Sequence, residues 1–289
     1  MSLIKYKSTA AIIACSNGID VKNEKIILEL KDTLNKMGIN IKLSNTIYRR
    51  NSIFNGSNKE KAQELMKFFE DDEVEVIFDI SGGDLANGIL EYLDFDIIKK
   101  NPKLFFGYSD LTVVINSLYK KAGIKSCLYQ IRNIISDNKE IQCKRFKDTF
   151  IYGKNSSLLD FDYRWIQGYR MEGVVIGGNI RCLLKLAGTE YMPDFTDKII
   201  FLESMSGDVG KMATYLTQYR QMDIFNKVKG IILGTYSEME AKGYKPDIIE
   251  LVTKTVDNPN IPIVKTQEIG HGNNSKCLII GERIKLVKK

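Results

Sequence analysis

The sequence lacks several patterns that would assign the protein to a class at once. Its five cysteines are an odd number and include no Cys-x-x-Cys pair, which argues against a disulfide framework or a structural zinc site and favours a reducing compartment. No segment approaches the roughly 18 consecutive apolar residues expected of a membrane span, so we expect no membrane partner. Histidine and tryptophan each occur once. Any chemistry that needs a histidine therefore falls to His271.

A strong excess of one charge is also lacking. The 42 lysines and arginines stand against 36 acidic residues, which gives a net charge of +6. The lysines are scattered among acids, as in the segments 22–31 and 59–72, and this is typical of a solvated surface. With 44% hydrophobic and 27% charged residues, the composition is that of an ordinary globular protein. We expect no nucleic-acid partner.

The N-terminal segment resembles a bacterial lipoprotein signal in one respect. Two lysines precede a short apolar run that ends at Cys15. The run 10–14 is shorter than the usual hydrophobic region of a signal peptide, and it fits a buried first strand that ends in a Ser16-Asn17-Gly18 turn. We favour the strand and a cytoplasmic location.

Short β-branched runs alternate with amphipathic helices along most of the chain. Predicted strands lie at 9–15, 39–43, 74–81, 104–107, 173–176, 198–203, 228–233 and 261–265. Such alternation predicts βαβ units and mostly parallel sheets. We therefore predict an α/β fold, with a doubly wound, mostly parallel N-terminal sheet at 1–140. A connecting segment at 141–169 and a smaller C-terminal α/β domain at 170–289 follow.

Ser109 lies at a sharp junction between a predicted strand and a predicted helix. In such a position the hydroxyl projects from the carboxyl edge of the sheet, and the N–H of Asp110 is free to bind a developing oxyanion. The usual Gly-x-Ser-x-Gly pattern is lacking, because Leu111 and Thr112 follow. The same residues would also suit a plain helix cap. Ser109 is therefore a candidate nucleophile only if suitable partners exist.

The segment Ser81-Gly82-Gly83-Asp84 follows the third predicted strand. Paired glycines allow a close approach of substrate to the backbone, and the N–H of Gly83 is a candidate second oxyanion donor. A plain strand-to-helix turn is the alternative. A phosphate-binding loop has less support, because no Gly-Lys-Ser/Thr ending follows.

A serine nucleophile needs a base near neutral pH, and histidine is the commonest one. His271 is flanked by glycines on a predicted turn, with an ordinary surface-loop histidine as the alternative. Glu203 ends a predicted strand, where a carboxylate can enter a cleft and orient the imidazole, although it could equally begin a surface loop. Three aspartates compete with it on charge alone: Asp194, Asp197 and Asp208.

A series of short motifs resembles the serine peptidase family of muramoyl-tetrapeptide LD-carboxypeptidases and microcin C immunity proteins. The motifs are Ala14-Cys-Ser-Asn-Gly18, Ser81-Gly82-Gly83, the segment 93–102, Gly107-Tyr-Ser-Asp-Leu-Thr112, Gly177-Gly178-Asn179, Ala187-Gly-Thr189, Phe201-Leu-Glu203, Ile232-Leu-Gly234 and Gly270-His271-Gly272. Each motif is weak alone. Their order over nearly the whole chain is specific.

This resemblance implies a Ser109–Glu203–His271 triad divided between two domains, with the substrate in the cleft between them. The N–H groups of Gly83 and Asp110 would form the oxyanion hole. The resemblance also implies a metal-independent enzyme without a cofactor, often a homodimer. Its substrate would be a murein tetrapeptide or an aminoacyl or peptidyl nucleotide of the microcin type.

The departures from the family pattern concern the substrate more than the chemistry. Ser81 stands where the tetrapeptide-cleaving branch usually has an arginine. The residues of the Ser81-Gly82-Gly83 motif and of the segment 93–102 are more similar to the microcin-immunity branch. Tyr129-Gln130-Ile131 replaces an aromatic-Gly-Pro segment. Ser204-Met-Ser-Gly207 replaces an acidic run after the triad glutamate.

Three residues are candidate substrate contacts. Gly82 would let the substrate approach the backbone, and Asn179 could bind polar groups or cap a helix. Trp165 could stack on an adenine ring, or pack with Tyr163 and Tyr169. A non-catalytic nucleotide- or peptide-binding module on the same fold remains the alternative to a hydrolase.

Overall fold

The computed structural model describes residues 3–288, which form two six-stranded sheets. The first half of the chain contains β1 (Thr9–Ile13), α1 (Glu24–Lys36), β2 (Asn40–Leu43), α2 (Asn58–Glu70), β3 (Val74–Asp79), α3 (Phe95–Lys100), β4 (Leu104–Gly107), α4 (Thr112–Ser117), β5 (Ser126–Leu128) and α5 (Lys139–Phe146). Short 3-10 segments lie at Val21–Asn23, Ala86–Tyr92, Ser109–Leu111 and Ile131–Ile135, and π-helical turns at Leu118–Ala122 and Lys147–Ile151.

The second half of the chain supplies the second sheet and its helices. Its elements are β6 (Arg164–Gln167), β7 (Arg170–Asn179), α6 (Ile180–Leu184), β8 (Lys198–Ser204), α7 (Val209–Gln221), β9 (Gly230–Tyr236), α8 (Ser237–Lys242), α9 (Ile248–Val256), β10 (Ile263–Lys265), β11 (Leu278–Ile280) and β12 (Arg283–Val287). None of the helices within 3–288 is both long and apolar enough to cross a membrane.

The strand order confirms an α/β fold with mostly parallel sheets. The first sheet has the order β11-β5-β4-β3-β1-β2, and only the β11–β5 pair is antiparallel. The second has the order β12-β7-β8-β9-β10-β6, with antiparallel pairs at both ends. The C-terminal half was expected to be the smaller one, yet its sheet has as many strands as the first.

Two strands join a sheet that the predicted domain boundaries do not assign to them. β6 lies in the predicted connecting segment but pairs with β10 of the second sheet. β11 lies near the C-terminus but pairs with β5 of the first sheet. Both strands are only three or four residues long, too short for a clear alternation of polar and apolar residues. The boundaries at 140 and 170 stay a prediction.

Successive residues of β1 enter different apolar clusters. Ala10 and Ile12 lie in one cluster, whereas Ala11 and Ile13 lie in another, and all four are fully buried. Because neighbouring side chains of a strand point to opposite faces, both faces of the sheet are covered, as the unbroken apolar run of this strand predicts. The cluster that contains Ala11 and Ile13 continues to β8 and β9. One apolar core therefore joins the two sheets.

Ser57 and Glu60 form a capping box at the start of α2, as the Ser-x-x-Glu spacing before an amphipathic helix predicts. The Ser57 hydroxyl accepts the Glu60 N–H at 3.2 Å, and the Glu60 carboxylate accepts the Ser57 N–H at 2.7 Å. These two bonds satisfy N–H groups that a helix start leaves free. They also help Arg50 to lower the pKa of Glu60 to about 2.

Candidate active site

Ser109 has a left-handed backbone with φ of 54°. It follows the extended residue Tyr108 and begins the 3-10 turn that leads into α4. A non-glycine residue in this region costs about 1–2 kcal/mol, so its neighbours must hold it there. The Leu111 N–H donates to the Tyr108 carbonyl at 2.9 Å, and the Thr112 hydroxyl donates to the Ser109 carbonyl at 2.7 Å. The residues at the cap positions of the two helical turns are Tyr108 and Leu111, not Ser109, so Ser109 does not act as the helix cap.

The buried carboxylate of Asp110 holds this turn in place. It is fully buried and accepts hydrogen bonds from the Ser16 hydroxyl at 2.6 Å and the Ala86 N–H at 2.9 Å. Lys185, just after α6, contacts it at 2.5 Å and also donates to the Asp84 carbonyl at 2.9 Å. One ammonium group from the second half therefore connects the turn at Ser109 (the serine turn) to the turn that contains Gly82 and Gly83 (the glycine turn).

The glycine turn after β3 is held by a second buried carboxylate. Asp79 accepts the N–H and the hydroxyl of Ser81 at 2.8 and 2.6 Å and the Cys15 N–H at 2.8 Å. Burial raises the pKa of Asp79, while these hydrogen bonds favour the charged carboxylate and partly offset that rise. Gly83 has φ of 120°, and a Cβ there would lie 2.2 Å from the Asn17 side chain. Only glycine fits this place in the turn.

The two predicted oxyanion donors are available for a ligand. Within residues 3–288, no carbonyl or side chain accepts a hydrogen bond from the Gly83 N–H. Asp110 lies in the first turn of its helical segment, where N–H groups have no intrahelical acceptor. Gly82 is close to Ser109, because a Cβ at this position would lie 3.9 Å from the Ser109 hydroxyl.

His271 and Glu203 form a direct pair. The Nδ1 of His271 lies 2.6 Å from Oε2 of Glu203, which is itself fully buried at the end of β8. A carboxylate at Nδ1 makes this nitrogen the donor and leaves Nε2 as the acceptor. The Nε2 of His271 is buried and has no hydrogen-bond partner within the described part of the chain. The imidazole is therefore oriented, with one nitrogen unused.

The ring of Tyr108 packs against the imidazole. The two ring centroids are 4.4 Å apart at 57°. Tyr108 is fully enclosed, and this burial, with the nearby charge of Glu203, raises the pKa of its hydroxyl well above the usual value. Tyr108, which precedes Ser109, thus packs on His271, and the Tyr108 hydroxyl stays neutral near pH 7.

A chain of hydrogen bonds connects the serine turn to this pair. Thr112, whose hydroxyl donates to the Ser109 carbonyl, accepts the Asn179 N–H at 2.9 Å. The Asn179 side-chain amide donates to Oε1 of Glu203 at 3.1 Å. The backbone of Ser109 is thereby linked through four hydrogen bonds to His271. Sequence patterns gave no sign of this bonding role of Thr112, because it depends on a contact between distant segments.

Ser109 and His271 line one cavity of about 460 Å³, whereas Glu203 lies behind His271 and does not line it. Its walls come from both halves of the chain, with Ser81, Gly82, Gly83 and Ser109 from the first and Met205 and His271 from the second. Arg132, which sequence patterns did not single out, lines it too. No group of three or more His, Cys, Asp or Glu side chains within 3–288 is placed to hold a metal ion.

Two predicted substrate contacts lie elsewhere. Asn179 is buried, caps α6 through the Cys182 N–H at 3.2 Å and contacts Glu203. Trp165 lies in β6 and packs on Tyr163, with ring centroids 6.1 Å apart. Neither residue lines the cavity that contains the serine. The structure thus favours the helix-cap alternative for Asn179 and the aromatic-packing alternative for Trp165.

Both halves of the chain match models of one protein family. The model of the LD-carboxypeptidase N-terminal domain matches residues 10–129, and that of the LD-carboxypeptidase C-terminal domain matches residues 172–286. The protein belongs to this family of serine peptidases, family S66, as the motifs predicted.

Curated relatives cover most of the chain at low identity. The microcin C7 self-immunity protein MccF of Escherichia coli is 25% identical, over 79% of this chain and 76% of that protein. A probable murein peptide carboxypeptidase of Bacillus subtilis (strain 168) is also 25% identical, over 86% of this chain and 80% of that protein.

A solved structure of MccF in complex with glutamyl sulfamoyl guanosine superimposes with a TM-score of 0.87. It covers 100% of this chain and 98% of that chain, with 21% sequence identity. At this identity the likeness establishes the shared fold.

Proposed function

We propose that this protein is a serine hydrolase that cleaves an amide bond through an acyl-enzyme, with Ser109, His271 and Glu203 as its triad. The observation that carries this proposal is the unused, buried Nε2 of His271 in the cavity that Ser109 also lines. A base held by a carboxylate on one nitrogen and free on the other is what a serine nucleophile requires. A non-catalytic binding module has no need for this arrangement.

In the proposed reaction His271 takes the proton of Ser109 through Nε2 as the hydroxyl attacks the scissile carbonyl. Glu203 stabilises the imidazolium that forms, as the 2.6 Å contact allows. His271 then gives this proton to the leaving amine, and the amide bond breaks. Water, activated by the same imidazole, hydrolyses the ester and restores the serine.

The N–H groups of Gly83 and Asp110 are proposed to stabilise the tetrahedral oxyanion. The loss of one such donor typically costs about 3–4 kcal/mol of transition-state stabilisation. Asp79, Asp110 and Lys185 hold the two turns that carry these donors. Fixed donors need no reorganisation when the charge develops, so the buried carboxylates contribute to catalysis through geometry.

The proposed substrate is a murein tetrapeptide or an aminoacyl or peptidyl nucleotide. The family supports the first class and the likeness to MccF the second. Trp165 lies outside the cavity, so adenine stacking on this residue is not part of the proposal. The homodimer stays a prediction from the family resemblance. The cytoplasmic location stays a prediction from the cysteines and from the short apolar run at 10–14.

Turnover of the two substrate classes tests the proposal. Wild-type protein should release D-alanine from murein tetrapeptide or the amino acid from aspartyl sulfamoyl adenosine, and Ser109→Ala should lower kcat by about 10⁴-fold or more. Ser156→Ala, an exposed serine, is the control and should retain full activity. Equal turnover by Ser109→Ala and wild type would contradict the proposal.

A further inference from the structure

Two cavities meet beside the nucleophile. The cavity of Ser109 and His271 is adjoined by another of about 340 Å³ that lies against Asn17 and Arg49. The residues that line both are Ile26, Gly82, Gly83 and Arg132. Arg132 is the one ionisable side chain among these shared residues. A ligand that extends from the serine toward the second cavity therefore passes this guanidinium.

Arg132 is held without a counter-charge. It belongs to the 3-10 segment Ile131–Ile135 and is half-buried. Its Nε is inaccessible to solvent and has no hydrogen-bond partner among residues 3–288. No carboxylate within residues 3–288 forms an ion pair with its guanidinium at 4.0 Å or less. Burial lowers the pKa of the Arg132 side chain, yet an arginine remains protonated in proteins.

The nearby carboxylates are occupied by other groups. Asp79 is close enough to act on Arg132 electrostatically, but its oxygens accept the bonds from Ser81 and Cys15 described above. Glu29 lines the serine cavity from α1 and is exposed, with Lys139 at 4.0 Å. The cost of a partly desolvated, unpaired cation is high unless a ligand supplies the negative charge.

We propose that Arg132 binds an anionic group on the leaving part of the substrate and thereby sets the substrate specificity of the site. This proposal rests on the hydrolase function above and names the chemistry that the substrate must carry. A carboxypeptidase releases an amino acid whose free carboxylate lies one carbon from the cleaved bond. In an aminoacyl nucleotide the leaving part carries a phosphate or a related acidic group. A planar guanidinium suits either oxyanion, through two parallel N–H donors.

Binding to the Ser109→Ala variant tests Arg132 without any turnover. Two matched pairs of probes separate the two sources of the anion: murein tetrapeptide as the free acid against its C-terminal amide, and AMP against adenosine. Isothermal titration gives Kd for each probe. In at least one pair the anionic member should bind roughly 10- to 100-fold more tightly, as expected of a charge-assisted contact.

The preference for the anion should disappear in the Ser109→Ala/Arg132→Gln variant and be partly retained with Arg132→Lys, which keeps the charge but not the planar fork. Arg220→Gln, an exposed arginine of α7, removes the same charge elsewhere and should leave the preference unchanged. Thermal unfolding of each variant establishes that it is folded. A preference that survives in Arg132→Gln, or one that is missing from both pairs in Ser109→Ala, overturns the assignment.

Failure of this inference is distinguishable from failure of the hydrolase proposal. If wild type hydrolyses a substrate and Ser109→Ala does not, the triad stands whatever Arg132 does. With Arg132 intact, wild type should also cleave the acid peptide or nucleotide in preference to its neutral analogue, and kcat/KM should fall by the same factor in Arg132→Gln. Equal kcat/KM values for the acidic substrate and its neutral analogue would remove Arg132 from the site and leave the hydrolase in place.

Discussion

The two halves of the site are assembled in different ways. In the second half, the candidate base His271 is oriented by side chains, because Glu203 contacts His271 and Asn179 contacts Glu203. In the first half, the candidate nucleophile Ser109 is positioned by its own left-handed backbone, which the bonds of Leu111 and Thr112 to neighbouring carbonyl groups hold in place. The imidazole is thus held on one side, while its Nε2 has no hydrogen-bond partner among the described residues.

Because the two residues are held by different segments, their relative position depends on the contacts between the halves. Thr112 meets Asn179, and Lys185 meets Asp110. Asn116 exchanges two bonds of 2.9 Å with the backbone of Gly177 in β7. A hydrogen bond between a catalytic serine and its base is often loose before substrate binds. If Ser109 and His271 are such a pair, these contacts between the halves keep the two residues in position for a substrate.

Apart from removal of Ser109 itself, the largest loss of activity is expected in the second half, where side chains orient His271. Glu203→Gln replaces an acceptor at His271 Nδ1 with an amide that can favour the wrong tautomer. We expect kcat to fall by about 10⁴-fold with an unchanged fold, as measured by steady-state turnover and circular dichroism. Glu70→Gln at the exposed end of α2 is the control. A loss below tenfold would mean that Glu203 does not orient the base.

The next largest effect, on the free energy of unfolding, is expected when the buried ion pair between the halves is broken. Lys185→Met leaves the carboxylate of Asp110, which is fully buried, without its cation. The free energy of unfolding should fall by roughly 3–5 kcal/mol, measured by urea denaturation, and Asp110→Asn in the same chain should recover part of it.

The matched control for Lys185 is Lys121→Met. Lys121 forms an ion pair with Glu190 whose side chains are 30% and 67% exposed, and such pairs contribute at most about 1 kcal/mol. Equal losses in the two variants would show that the Lys185 contact is no stronger than a surface pair.

The smallest effect is expected from the link between the serine turn and the base. Thr112→Val keeps the shape of a buried side chain and leaves the Asn179 N–H without its acceptor. We expect kcat to fall roughly tenfold while KM changes little, since the loss of one such bond costs about 1–3 kcal/mol. Thr214→Val, whose hydroxyl contacts only its own helix at Gly210, is the comparison variant. An unchanged kcat would exclude this path from the alignment.

Local patterns predicted most of the fold. The strand 104–107 and the capping box of α2 are present as expected, because an apolar run between turns and a Ser-x-x-Glu start depend on nearby residues. Four strands of three to five residues were missed, namely β5, β6, β11 and β12. A strand this short is stabilised by its partner in the sheet and not by its own sequence.

The same distinction applies to the site. Ser109, Glu203 and His271 could be selected because few residue types serve as nucleophile, base and orienting acid, and each follows a strand or a glycine. Thr112, Lys185 and Arg132 could not be selected, because their importance arises from contacts or cavities formed by segments distant in the chain. Asn179 was selected for substrate binding, but the structure assigns its side chain to Glu203 and a helix cap.

The most direct test of the central claim is intact-mass labelling with a small serine-directed phosphonate, followed by peptide mapping. The triad predicts one added label on wild type at Ser109, none on Ser109→Ala and strongly slowed labelling of His271→Ala. A label that maps to another residue, or that Ser109→Ala takes up as fast as wild type, would contradict the assignment of Ser109 as the nucleophile.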